Sequence, residues 1–221
     1  GLDYYAFNKD AKQNVKLSGG KDWIIHSLYT DFYTTGATIA TIDASKATGN
    51  VTLAASATIK GGAGTNNIWT YQSDSAASVK AGTGTDIIWF AENADQAVSV
   101  SDFVAGTDVV KFATAQSLKD IADNYSFATV AGGTTAKITG VNNTDSEMTI
   151  TQKAGNTWGA FTITDANDKA YKALVSTNTA TFSADVNIYA GMATLEASKD
   201  FEGTVSVRVG KESRGLSSDT Y

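Results

Sequence analysis

Residues 57–69 (ATIKGGAGTNNIW) and 77–89 (ASVKAGTGTDIIW) align without a gap at a shift of 20, which sets Asn66 opposite Asp86, each closing a glycine-rich corner. Asp22, in SGGKDW, and Asp108, in VAGTDVV, fit the same template upstream and downstream. Carboxylates at Asp22, Asp86 and Asp108, the amide of Asn66 and the backbone carbonyls of Gly62, Gly64, Gly82 and Gly84 are all hard oxygen donors. A cation that takes six or more oxygens would need such a set. The competing reading is that the corners only turn the chain, with Asn66 and Asp86 hydrogen-bonding neighbouring backbone.

Other chemistry is thinly supplied. The chain has no Cys and one His, so thiolate metal sites, cysteine nucleophiles, disulfides and His-cluster zinc sites are excluded. Formal charge is -6, and Arg208 and Arg214 are the only arginines, so nucleic acid is not an expected partner. No apolar run of ~18 residues or signal-peptide pattern occurs, so membrane insertion is not expected either. Asp120 and Asp123 read as a solvated helix face rather than a catalytic pair, and residues 165–168 (DAND) as a hairpin tip. His26 has no triad companion, and no nucleophile elbow or phosphate loop is present. The chain is read as non-enzymatic.

Trp69 and Trp89 lie one repeat apart, and strand alternation sets them opposite in direction to Ile68 and Ile88. Pointing outward, they would form an aromatic strip with Tyr71 that could stack on sugar rings or on another protein. The alternative is that a neighbouring element covers them.

These residues require a particular scaffold. The marked positions 22, 43, 66, 86 and 108 step by 21, 23, 20 and 22 residues, a period that suits one coil of a parallel β-solenoid with two short strands and two corners. Ile59 should then stack on Val79, and Ile68 on Ile88. The chain has 221 residues and not one proline, consistent with strands paired on both edges. Residues 116–125 show helical spacing, with Thr114 or Ser117 as cap. Four alternating segments follow, at 135–139, 147–152, 160–164 and 169–175, and read as an antiparallel meander. Residues 193–207 match 40–53 with one inserted residue, which points to further coils and to units that recur along a longer protein. The expected architecture is all-β: a parallel β-roll over 1–112, a helix and antiparallel lid over 113–178, and a return to solenoid-like coils over 179–221.

The segments GGAGTNNIW and AGTGTDIIW resemble the Gly-Gly-x-Gly-x-Asp-x-apolar-x nonapeptide of RTX, haemolysin-type, calcium-binding β-rolls. Residues 100–112 (VSDFVAGTDVVKF) look like the segment that closes such rolls. The resemblance covers about 57–112; Asn66 replaces the expected Asp and Ala81 the first Gly. It implies a structural or display module of a large secreted or cell-surface bacterial protein, exported unfolded and folding outside. It also implies calcium as a candidate cofactor, while the match of 193–207 to 40–53 gives tandem neighbouring units of the same parent chain as expected partners. Two alternatives remain, an adhesin domain that binds a glycan or surface protein, and a β-solenoid domain that degrades polysaccharide.

Overall fold

Alternation of apolar and polar residues decides which side of each strand faces inward, and in a parallel roll it also fixes the register between coils. A computed structural model of the chain describes residues 2–4, 13–27, 39–54, 58–69, 77–90, 97–129, 135–140, 146–156, 160–174, 179–182, 186–190, 194–197, 205–210 and 216–217. In chain order the first elements are β1 (Leu2–Tyr4), β2 (Gln13–Gly19), β3 (Trp23–Ser27), β4 (Ile39–Ala47), β5 (Val51–Ala54), β6 (Thr58–Lys60), β7 (Asn66–Trp69), β8 (Ala77–Lys80), β9 (Asp86–Phe90), β10 (Ala97–Phe103) and β11 (Val109–Phe112). Then come α1 (Leu118–Asn124), β12 (Tyr125–Thr129), β13 (Thr135–Gly140), β14 (Glu147–Gln152), β15 (Ala160–Thr164) and β16 (Ala170–Leu174). The chain closes with β17 (Thr179–Phe182), β18 (Val186–Ala190), β19 (Thr194–Ala197), β20 (Val205–Gly210) and β21 (Leu216–Ser217).

Odd-numbered strands from β1 to β11 build one parallel sheet, and even-numbered strands from β2 to β10 build the other, so each pair of consecutive strands is one coil of a β-roll. Their inward residues form continuous ladders. One runs Ile25, Leu53, Ile68, Ile88, Val110 and Ile163; the opposite wall runs Ile42, Ile59, Val79, Val100 and Ile150. All of these are buried. Both expected stacks, Ile59 on Val79 and Ile68 on Ile88, are present. Because a rung has neighbours above and below, truncating one leaves a void that the stack cannot close. Ile68→Ala is expected to cost about 2–5 kcal/mol in urea unfolding.

The ladder steps are 28, 15, 20 and 22 residues from Ile25 to Val110, so the coils are less regular than a period of 21. Asp43 does not fill the acidic position between 22 and 66. It lies on β4 in the other sheet, where it pairs with Lys60 at 3.3 Å.

After β11 the chain leaves the roll and returns. Ser117 caps α1 by accepting the Asp120 N–H at 3.1 Å, and Ile121 is buried. Lys119 pairs with Asp123, and Asp120 accepts the Gln116 N–H, so these carboxylates serve the helix surface. Strands β12, β13 and β14 form the antiparallel meander. The four alternating segments do not make one meander, however. β14 stacks in parallel on β10 and β15 stacks in parallel on β11, so those two strands form another coil of the roll. The excursion from 113 to 146 is an insertion between coils, and Tyr125 packs it against Phe90 and Phe112 with ring centroids 5.4 and 4.4 Å apart.

The β15–β16 pair is antiparallel and turns at residues 165–168 as a hairpin tip. Asp165 is buried there, accepting N–H groups from Asn167 and Lys169 and the Tyr171 hydroxyl. Beyond it, β16, β18 and β20 are parallel to one another and continue the larger sheet, while β17 and β19 pair in a sheet of their own. The match of 193–207 to 40–53 lands on equivalent elements, with β19 in the place of β4 and β20 in the place of β5.

Candidate functional site

Register places Trp23, Val51, Asn66, Asp86 and Asp108 on successive rungs at the start of the strands of the larger sheet. Side chains in this column face inward, and Asn66, Asp86 and Asp108 are all but fully buried. Each reaches back across its own corner to the N–H four residues earlier: Asn66 Oδ1 accepts Gly62 N–H at 3.0 Å, Asp86 Oδ2 accepts Gly82 N–H at 2.8 Å, and Asp108 Oδ2 accepts Val104 N–H at 2.7 Å. The rungs are also tied to each other, since Asp86 N–H donates to Asp108 Oδ1 at 3.0 Å.

The two carboxylates differ in what remains. Both oxygens of Asp108 are taken. Asp86 Oδ1 is buried without a hydrogen bond, facing the bare Cα of Gly61, where a Cβ would come within 2.9 Å of it. Burial, reinforced by the charge of Asp108 on the next rung, pushes the Asp86 carboxyl up to about 7. The nearby Asn66 amide and the Gly82 N–H act in the opposite sense. Burial also raises Asp108, offset by the Val104 and Asp86 N–H groups and by Lys153.

Asp22 does not join this column. Trp23 holds the rung, and Asp22 sits on an exposed corner, where its Oδ1 accepts Asn50 N–H at 2.8 Å. Asn50 Oδ1 in turn accepts Thr65 N–H at 3.0 Å, making a second, solvent-side ladder. The alignment that equates Asp22 with Asp86 is therefore one residue out of register.

The carbonyls of the 62–66 corner are engaged as well. Asn66 Nδ2 donates to Gly62 O and to Gly64 O, both at 3.2 Å, and Thr83 N–H donates to Gly62 O at 3.0 Å. Of the donor set read from the sequence around the 66 and 86 rungs, Asp86 Oδ1 is the one side-chain oxygen left open. A calcium ion needs six or more converging oxygens, so these residues do not fit that ion as they stand. Among the described residues no group of three or more His, Cys, Asp or Glu comes together.

The second candidate lies on the outer face of the same sheet. Trp69 and Trp89 are half-buried and stack with centroids 4.5 Å apart and planes 13° from parallel. Trp89 Nε1 donates to Asn67, and Lys111 Nζ sits 4.3 Å above the Trp89 ring while pairing with Asp168. Lys111 is buried by this arrangement, which pins the hairpin tip against the roll. The two rings form an outward column that Asn67 and Lys111 partly cover. Ile24, 45% exposed, lies on the same face. Tyr71 lies outside the described residues, as does the side chain of His26.

The glycine corners and the inward column define the class: an all-β parallel roll whose polar rungs are built from side chains capping their own corners. Compared with known protein families, with curated proteins and with solved structures, the chain matches none.

Proposed function

We propose that the chain is a structural display module of a secreted or cell-surface bacterial repeat protein, of the RTX-like, adhesin or surface-layer kind. The observation that supports this reading is the unbroken stacking of inward ladders from Ile25 to Ile163, in which each coil is a platform for the next. Such a stack gains reach by adding coils, and tandem units of the parent chain would extend it. Asp86 and Asp108, the paired carboxylates, are enclosed in the roll where a polymer substrate cannot meet them.

Display is tested by treating intact producing cells with a non-specific protease and probing with antibodies to this chain. Loss of the epitope while a cytoplasmic marker survives is the expected result. An epitope protected until lysis would sink the proposal. A second reading, an adhesin face that binds a glycan or surface protein, is favoured by Trp69, Trp89 and Ile24 sharing one face. Quenching or shift of tryptophan emission during a glycan titration, lost in Trp69→Ala, would support it.

A further inference from the structure

We infer that the Asn66 amide is a built-in substitute for a bridging cation, so that the roll locks its 62–66 corner without metal. The direction of the polar groups carries this. At a cation site every ligand offers a lone pair to one point. At this corner the Gly62 and Gly64 carbonyls both offer lone pairs to one point, and that point is the Nδ2 of Asn66, 3.2 Å from each. The amide delivers two N–H bonds to those carbonyls while its Oδ1 takes Gly62 N–H at 3.0 Å, so one side chain closes the corner with three hydrogen bonds. Rotating the amide by half a turn would set two N–H groups against each other at Gly62 and two oxygens against each other at the carbonyls, so the bonding pattern fixes its orientation.

The rung above supplies the contrast. Asp86 occupies the same place at a shift of 20 and makes the same bond to Gly82 N–H, but an ionised carboxylate has no proton to offer its own corner carbonyls, and its Oδ1 has only the Asn66 amide of the coil below near it. Asn66 Nδ2 also lies where a Cβ on Gly82 would come within 2.9 Å, so the amide sits between the two corners rather than beside one. A divalent ion at this point would have to displace the amide. An acidic residue in place of Asn66 would reverse the arrangement, turning a donor into a second carboxylate that faces Asp86 Oδ1 and the two carbonyls. The chain thus holds the outline of an oxygen cage that a single amide fills. The inference does not depend on the display reading and stands or falls separately.

The test is thermal unfolding followed by far-UV circular dichroism, in chelator and in millimolar calcium, for the wild type, Asn66→Asp and Asn66→Ala. The wild type should melt at one temperature in both conditions. Asn66→Asp should melt roughly 5–15 °C lower in chelator, from loss of the donor bonds and a second buried charge, and should recover in calcium. Asn66→Ala should fall in chelator and gain nothing from calcium. A wild-type calcium response that Asp86→Asn abolishes would overturn the inference, and so would a folded Asn66→Asp that ignores calcium. Should Asn66→Asp fail to fold in either condition, the wild-type comparison decides alone.

Discussion

Gly82→Ala is expected to destabilise the roll by about 4 kcal/mol or more, beyond the usual range for a single substitution, and to shift the urea midpoint accordingly. The reason is the stacking distance between coils, about 4.8 Å, which the corner must match with backbone alone. A Cβ on Gly82 would be driven into the Gly62 carbonyl oxygen, far inside van der Waals contact, and would also crowd Asn66 Nδ2 at 2.9 Å. That carbonyl already receives Thr83 N–H and Asn66 Nδ2, so it cannot turn away without giving up both bonds. Gly84 meets Gly64 in the same way. Gly106→Ala is the internal control: a Cβ there meets nothing within 4 Å, and the expected change is within about 0.5 kcal/mol. Equal effects at the two positions would show that the corners are not packed rung on rung. Ala81 shows where the constraint ends. Gly61, its counterpart, is closed in by Gly82 and Asp86, whereas the coil above Ala81 has no matching glycine corner: β10 carries an irregular register between Val100 and Phe103, and Asp102 adopts φ 58°.

These same features explain what is legible in the sequence. The shift of 20 between residues 57–69 and 77–89 is plain because both coils repeat residue for residue, so the stacks of Ile59 on Val79 and Ile68 on Ile88 follow from alternation alone. The same template picks out Asn66, Asp86 and Asp108. It misplaces Asp22 because the upstream corner is built differently. A one-residue slip in a strand exchanges inward and outward faces, and only the requirement that Ile25 meet Leu53 inside the roll reveals that Trp23, not Asp22, belongs to the column of Asn66. The DAND turn at residues 165–168 announces the antiparallel β15–β16 pair, but the return of β14 and β15 to the parallel stack has no local signal of strand direction. An alternating strand looks the same whether its neighbour runs with it or against it. The full capping role of Asn66 is also open to inspection only in three dimensions, since an Asn after a Gly-rich run reads as a turn former whatever its amide touches.

Asp86→Asn is expected to change how stability depends on pH as well as its size. The Asp86 carboxyl lies at about 7 in the folded chain against 3.8 for an ordinary aspartate, so the folded state holds a proton that the unfolded state releases. Between those two values the native chain binds more protons than the unfolded one, so stability is full below about pH 4 and is lost progressively as pH rises toward about 7. Above that the carboxylate is buried and charged beside Asp108, a cost of about 4 kcal/mol for a shift of this size. Asp108 is raised by its own burial and adds to the slope in the same direction. An amide at position 86 removes the charge while keeping an oxygen for Gly82 N–H. Its Nδ2 would meet the Gly82 and Gly84 carbonyls as Asn66 meets those of Gly62 and Gly64 one coil below. Urea unfolding of both proteins from about pH 3 to about pH 8.5, a window that spans the unfolded and folded values of Asp86, measures the difference. The wild type should weaken across that window, and the variant should weaken less and overtake it at the alkaline end. Parallel curves would mean that Asp86 is solvated or paired in a way its closed corner does not allow. The buried column, polar on three successive rungs, would then owe its stability to something other than the caps that Asn66 and Asp86 make on their own corners.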